Sequence, residues 1–404
     1  MNLKQINVWA WWLLVGLEYF LIMTFTYHFS VSQGLEGLDL PRNLGGGKDS
    51  EFYFKNITTS FLTGTESNPT GTQFIPMMTA VANYFGFVNV FFMKSINIVG
   101  VFLLLFLMIK TLRSIGEIND FDTDMASMST LARFALFPSS AIVIGTTLNR
   151  DIWIYTFFMF SALFSVKLVK NKKVFLYLPL LILAIYGLYS FRGYAGLSVV
   201  AGSLLYFIIK YTNKYLFGVI TFAGVILLFG WFQIFKDFEA PIVNMTLLDA
   251  LGYQGGYFSS ADGNKVYQRA GGTDFMEAFN VSNFIVFIGQ FIKSYVGNLI
   301  GPFIWQVRTP MLLMLFILES VPMLFLIWRV VFKFKFRFLQ FLMKNNGALM
   351  IVCQGFAWFT MLALSNKNIG AGMRLKVPLF LFIWIVYYSY LAYEKKQEAE
   401  KSNF

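Results

Sequence analysis

The chain has 404 residues, 57% of them hydrophobic and 13% charged, and its mean hydropathy of +0.61 excludes an ordinary soluble globular protein. The formal net charge of +11 does not describe a nucleic-acid surface. Its bases cluster in short segments beside apolar runs, such as KLVKNKK (167–173) and RVVFKFKFR (329–337), the pattern of cytoplasmic loops lying close to anionic lipid.

Runs of the roughly 20 apolar residues needed to cross a bilayer predict spans at 8–28, 87–109, 130–148, 151–168, 174–191, 194–210, 216–235, 309–331, 347–365 and 375–393. The first, VWAWWLLVGLEYFLIMTFTYH, is too long and too aromatic for a signal-peptide core and reads as a retained anchor. Arg133 and Pro138 interrupt the span at 130–148. The run at 282–305 is interrupted by Gln290, Lys293, Gly297 and Asn298, closes on GPFIW, and predicts an interfacial or re-entrant segment. The expected fold is therefore an all-α polytopic transmembrane helix bundle of about ten spans, forming a single transmembrane domain over 1–404. Placing Lys4 inside puts both termini in the cytoplasm and concentrates the bases on inner loops. Two long segments then lie outside, 29–86 with interfacial helices and 236–308 with the glycine-punctuated LGYQGGYFSSADGNKVYQRAGGTDF. Long loops of this kind tend to be functional.

One cysteine, Cys353, and one histidine, His28, leave no intrachain disulfide, no zinc site and no Ser-His triad. No cofactor or metal is expected. The chemistry-bearing residues are instead isolated charges on the outer side. Asp49 and Glu51 lie in the first outer loop, LNRD carries Arg150 and Asp151, SFRGY carries Arg192, and Arg269 lies in the second loop. SNKNIGAGMRLK adds Lys367, Arg374 and Lys376. Charges at span ends are ordinary snorkelling residues when taken singly. Together, arginines around an acidic loop can hold an anionic head group, because the guanidinium fork binds phosphate oxygens at any working pH. A polyprenyl phosphate or pyrophosphate would supply that anion.

The stretch GGGKDSEFYFKN (45–56) combines both ideas. Asp49 or Ser50 can cap a surface helix whose Phe54, Ile57 and Phe61 form an apolar stripe. Such a helix also holds a carboxylate at head-group depth. Sugar transfer from a lipid phosphate needs a general base and cations for the departing phosphate, and Asp49 is the first choice for the base, Glu51 the second.

The run KDSEFYFKNITTSFLTG…TQFIPMMTAVANYFGFVNVFFMKSINIVGVFLLL resembles the first loop and second span of GT-C glycosyltransferases, especially bacterial relatives of the protein mannosyltransferases. ALFPSSAIVIGTTLNRDIWIYTFF, YSFRGYAG and GAGMRLKVPLFLF resemble later segments of such proteins. The resemblance implies a GT-C-like bundle with Asp49 as acidic catalytic residue and Arg150 and Arg192 as phosphate binders. Lys48-Asp49-Ser50-Glu51 departs from the adjacent acidic pair of many members.

Three functions fit. The first is a membrane glycosyltransferase moving a sugar from a polyprenyl-phosphate donor to a glycan or lipid-linked acceptor during cell-surface polysaccharide biosynthesis, on the outer face of a bacterial cytoplasmic membrane. The second is a repeat-unit polymerase using polyprenyl-pyrophosphate-linked oligosaccharide. The third is a lipid-linked glycan flippase or other transporter, for which the acids inside spans, Glu18 and Glu319, would form a proton relay rather than structural hydrogen bonds. Cysteines introduced at Asp49, Arg150 and Arg269 are expected to react with a membrane-impermeant maleimide added outside intact cells. Protection of all three would overturn this topology.

Overall fold

The computed structural model describes residues 3–40, 49–65, 68, 72–170, 173–212 and 283–402, with short stretches between 239 and 279. In chain order, α1 (Leu3–Ser32) is followed by two shorter helices, α2 (Asp49–Thr63) and α3 (Phe74–Phe85), and then by the long α4 (Val90–Asn119). Next come α5 (Asp124–Ala135), α6 (Pro138–Thr146), α7 (Asp151–Lys170), α8 (Val174–Phe191) and α9 (Gly193–Tyr211). Two small antiparallel ladders follow, β1 (Glu239–Ala240) with β2 (Met245–Thr246) and β3 (Tyr257–Ser259) with β4 (Lys265–Tyr267). The remaining helices are α10 (Phe284–Ile300), α11 (Pro310–Phe334), α12 (Phe336–Lys344), α13 (Asn346–Ser365), α14 (Ile369–Leu375) and α15 (Val377–Ser402).

Among the described residues, eight helices (α1, α4, α7, α8, α9, α11, α13 and α15) are long and apolar enough to cross a membrane. The chain is a polytopic helical membrane protein, since helices satisfy their own backbone groups where lipid offers no partner. The predicted span 216–235 lies outside the described residues. The predicted span 130–148 is a broken helix: α5 and α6 meet at a 63° bend. Its cause is local. Pro138 occupies the first turn of α6 and forces Phe137 into an extended conformation, because the residue before proline is disfavoured in helix. The expected all-α character holds for the bundle, while the second loop adds the two ladders.

The chain forms two compact units, Met1–Val199 with Lys335–Val352 and Phe380–Phe404, and Val200–Phe334 with Cys353–Leu379. In the first unit, α1 packs antiparallel to α4. The Trp12 indole donates to the Phe102 carbonyl at 2.9 Å, and Gly16 lets the Phe102 ring lie where any Cβ would sit. One end of this unit gathers the last turn of α1, the first turns of α2, α4 and α7, and the last turns of α6 and α8. The opposite end carries ion pairs: Arg113 with Asp124 (3.2 Å), Lys170 with Glu117, Arg337 with Glu394 (3.1 Å) and Lys396 with Asp120 (3.5 Å). Most of these pairs are partly exposed and contribute little singly.

In the second unit, α9 meets α13 backbone to backbone. A Cβ on Gly202 would come within 2.4 Å of the Gln354 Cα and 2.7 Å of the Cys353 carbonyl oxygen, an approach only glycine permits. On α10, Ser294 Oγ donates to the Ala363 carbonyl at 2.6 Å, and Tyr295 sets its ring edge-on against Phe359 at 4.4 Å. The expected interfacial segment 282–305 is thus a regular 17-residue helix over most of its length. α11 contains two wider π-type turns, at Phe316–Ser320 and Arg329–Phe334.

Asn345 joins three helices of the first unit. Fully buried, it donates to the Ile115 carbonyl (3.1 Å) and to Asn119 Oδ1 (2.6 Å), and accepts from the Ala348 N–H (3.0 Å) at the start of α13. Asn345→Ala orphans these groups and is expected to cost about 1–3 kcal/mol, read as a lowered midpoint of thermal unfolding in detergent.

Candidate functional site

The first turn of α2 presents Asp49 and Glu51 to solvent and turns Ser50 inward, where it is fully buried. Ser50 Oγ donates to Asp39 Oδ1 at 2.7 Å and accepts from the Leu148 N–H at 2.8 Å. The Glu51 N–H also donates to the Asp39 carboxylate. The N-terminal amides of a helix have no intrahelical acceptors and the helix dipole favours an anion there, so Asp39 caps α2 from ten residues upstream of it. Ser50, one of the two expected caps, turns its hydroxyl to Asp39 instead. The face of α2 packed inward is Ser50, Tyr53, Ile57 and Ser60, while Phe54 and Phe61 of the stripe expected to face the bilayer are half-buried.

Beside Asp39 is Lys94, one turn into α4 and 1% exposed. Its Nζ donates to the carbonyls of Gly37 (2.7 Å) and Thr146 (3.0 Å). Burial pushes the Asp39 carboxyl above its ordinary value, and Asp49 adds to that; the Ser50 hydroxyl, Lys94 and the Glu51 N–H all oppose it.

The LNRD turn is fixed by amides. Asn149 Oδ1 accepts from the Asp151 N–H at 2.9 Å, Asn97 Nδ2 donates to the Asn149 carbonyl at 3.0 Å, and the Trp153 indole donates to Asn97 Oδ1 at 3.0 Å. Arg150 at its tip is half-buried, and its Nε is buried without an acceptor. Arg192 sits in the extended link between α8 and α9, with its guanidinium 5.5 Å over the Tyr194 ring and Nη1 buried without an acceptor. The first loop reaches this link as well. The Gln73 N–H donates to the Ser190 carbonyl at 3.1 Å, and Tyr53 of α2 packs edge-on against Phe74 of α3 at 5.0 Å. Asp49, Glu51, Arg150 and Arg192 therefore collect at one end of the first unit. Of the remaining expected phosphate binders, Arg374 belongs to the second unit, half-buried in the last turn of α14, and Arg269 lies outside the described residues.

The second unit corrects the reading of Lys376 as a loop base. It is 3% exposed, pairs with Glu319 Oε2 at 2.6 Å, and donates to the Gly301 carbonyl at 3.3 Å. Glu319 occupies the first π-type turn of α11, so its carboxylate serves an ion pair within that unit. Next to the pair, Asn298, which accepts from the Asn366 amide at 2.6 Å, borders a small cavity together with Phe275, Gly301 and Lys376. Glu18 on α1 is half-buried without a partner among the described residues.

Chemically, the first unit offers exposed carboxylates able to take a proton beside guanidinium donors able to hold a phosphate. Among the described residues, no group of three or more His, Cys, Asp or Glu side chains is placed to hold a metal ion. Comparison of the chain with protein-family models, curated proteins and solved structures returns no match. Sequence reasoning missed Asp39, the role of Lys94 and the Asn97–Asn149 brace. The available signal was Lys94 itself: a cation inside an apolar helix requires an acid nearby.

Breaking the buried Lys376–Glu319 pair on one side leaves an uncompensated charge. Lys376→Met or Glu319→Gln alone is expected to cost about 3–5 kcal/mol, whereas Lys376→Met with Glu319→Gln recovers most of it. Thermal unfolding of the three purified variants measures this.

Proposed function

We propose that this protein is a GT-C-like membrane glycosyltransferase that moves a sugar from a polyprenyl-phosphate-linked donor to a glycan or lipid-linked acceptor in cell-surface polysaccharide biosynthesis. The end of the first unit that holds α2 faces outward from a bacterial cytoplasmic membrane, and both termini lie in the cytoplasm. The observation that carries the reading is the pair of buried, acceptor-less guanidinium nitrogens, Arg150 Nε and Arg192 Nη1, at the end that also exposes Asp49 and Glu51. Buried polar atoms are normally satisfied, and a phosphate oxygen is the acceptor that arginine's planar fork fits best.

In this scheme Arg150 and Arg192 hold the donor phosphate and stabilise the charge it gains as the sugar leaves. Asp49 accepts the proton of the attacking acceptor hydroxyl, and Glu51 lies two residues further along the same turn.

Asp49→Asn should lower polysaccharide formation in producing cells by about two to four orders of magnitude, with the protein still present in the membrane fraction. Arg192→Ala should do the same and also weaken binding of undecaprenyl phosphate to the purified protein by about tenfold or more. Normal product from both variants would remove the enzymatic reading.

A further inference from the structure

Asp39 and Lys94 are too deeply buried, at 7% and 1% exposed, to touch a lipid-linked donor, yet they meet the site's framework from every side. Lys94 binds the chain after α1 through Gly37 and the end of α6 through Thr146. Asp39 takes two donors from the first turn of α2, the Ser50 hydroxyl and the Glu51 N–H. Ser50 then passes the connection to the Leu148 N–H, two residues before Arg150. Four separate chain segments are pinned at one point, and the residues flanking the pin on either side are Asp49 and Arg150.

We propose that Asp39 and Lys94 are positioning residues: the hydrogen bonds made by these two buried groups fix Asp49 against the Arg150 turn. The inference rests on the reading of Asp49 and Arg150 as members of a sugar-transfer site. Its chemistry is simple. The carboxylate orders α2 because only an acceptor can satisfy both Ser50 and the free amide of Glu51. The ammonium makes that carboxylate tolerable in a buried place, since an unpaired ion there is costly. Asparagine at 39 keeps an acceptor for the α2 donors but strands the Lys94 charge, and methionine at 94 strands the Asp39 charge. Making both changes removes both charges while keeping an acceptor for α2.

The experiment uses the full chain with Cys353→Ser and a reporter thiol, Ser60→Cys, on the buried face of α2 where residue 60 is 4% exposed. Asp39→Asn or Lys94→Met alone is expected to lower polysaccharide formation by about a hundredfold, the scale of a misplacement near 1 Å. Undecaprenyl phosphate binding should stay within about threefold of the parent, because it depends on the arginines. Maleimide labelling at position 60 should speed up by about tenfold or more as α2 opens locally. In the double variant, product and protection of the thiol should both return to within about threefold of the parent. Parental product from the single variants would overturn the proposal. So would a double variant that protects the thiol yet makes no product, because one of the two residues would then act on substrate directly. If Asp49→Asn makes normal product, the reading of the site fails; the labelling arm then decides alone whether the pair anchors α2.

Discussion

An ammonium ion one turn inside an apolar helix is the constraint from which the polar end of the first unit follows. Lys94 cannot remain charged there without acceptors, since the effective penalty for burying an ion is several kcal/mol. It draws them from two places, the Gly37 and Thr146 carbonyls, and takes its countercharge from Asp39. The chain leaving α1 must therefore fold back over the mouth of α4. Ser30 fastens this return by donating to the Asp39 carbonyl at 2.6 Å. Asp39 has lone pairs left over, and the first turn of α2 has donors left over. The helix that carries Asp49 and Glu51 starts where it does because those two needs are met at one point.

Much of the bundle was legible in the sequence, because the length of an apolar run is a one-dimensional quantity. The spans expected from 151, 174, 194, 309, 347 and 375 begin within a few residues of the helices found. The failures have particular causes. At 130–148, Arg133 counted against a span, yet its guanidinium lies 5.8 Å over the Trp384 ring and is accommodated. Pro138, read as an interruption, does break the run, starting α6 just after the bend. On α2, the apolar stripe expected to lie on the bilayer does not indicate the face packed inward, which runs Ser50–Tyr53–Ile57–Ser60. Small hydroxyl residues bury easily when bonded, and a count of apolar side chains does not see them.

The site was legible in part, for a related reason. Lone charges in otherwise oily turns stand out, so Asp49, Glu51, Arg150 and Arg192 could be picked from spacing and sidedness. Pairings could not. Glu319 pairs with Lys376, and Lys94 bonds the Gly37 carbonyl two residues from Asp39, across separations that no local pattern encodes. What the sequence does contain is the demand for a partner: Lys94 and Glu319 both sit inside apolar helices, where an ion without one is not sustained. The sequence poses each of these questions, and only the fold answers them.

The same logic separates framework charges from the charges left for something else. Lys94, Lys376, Asn97, Asn149, Asn298 and Asn345 each have their polar atoms bonded within the chain. Among the described residues, the buried side-chain atoms without partners are mostly neutral hydroxyl and amide oxygens, for which a missing bond costs least. The cationic exceptions are Arg150 Nε and Arg192 Nη1. A chain that builds a four-segment clamp to satisfy one lysine has the means to give two arginines an acceptor. Where it gives none, and exposes carboxylates at the same end, an anion arriving from outside the chain accounts for the arrangement most economically. On the proposed function, that anion is the phosphate of the lipid-linked sugar donor.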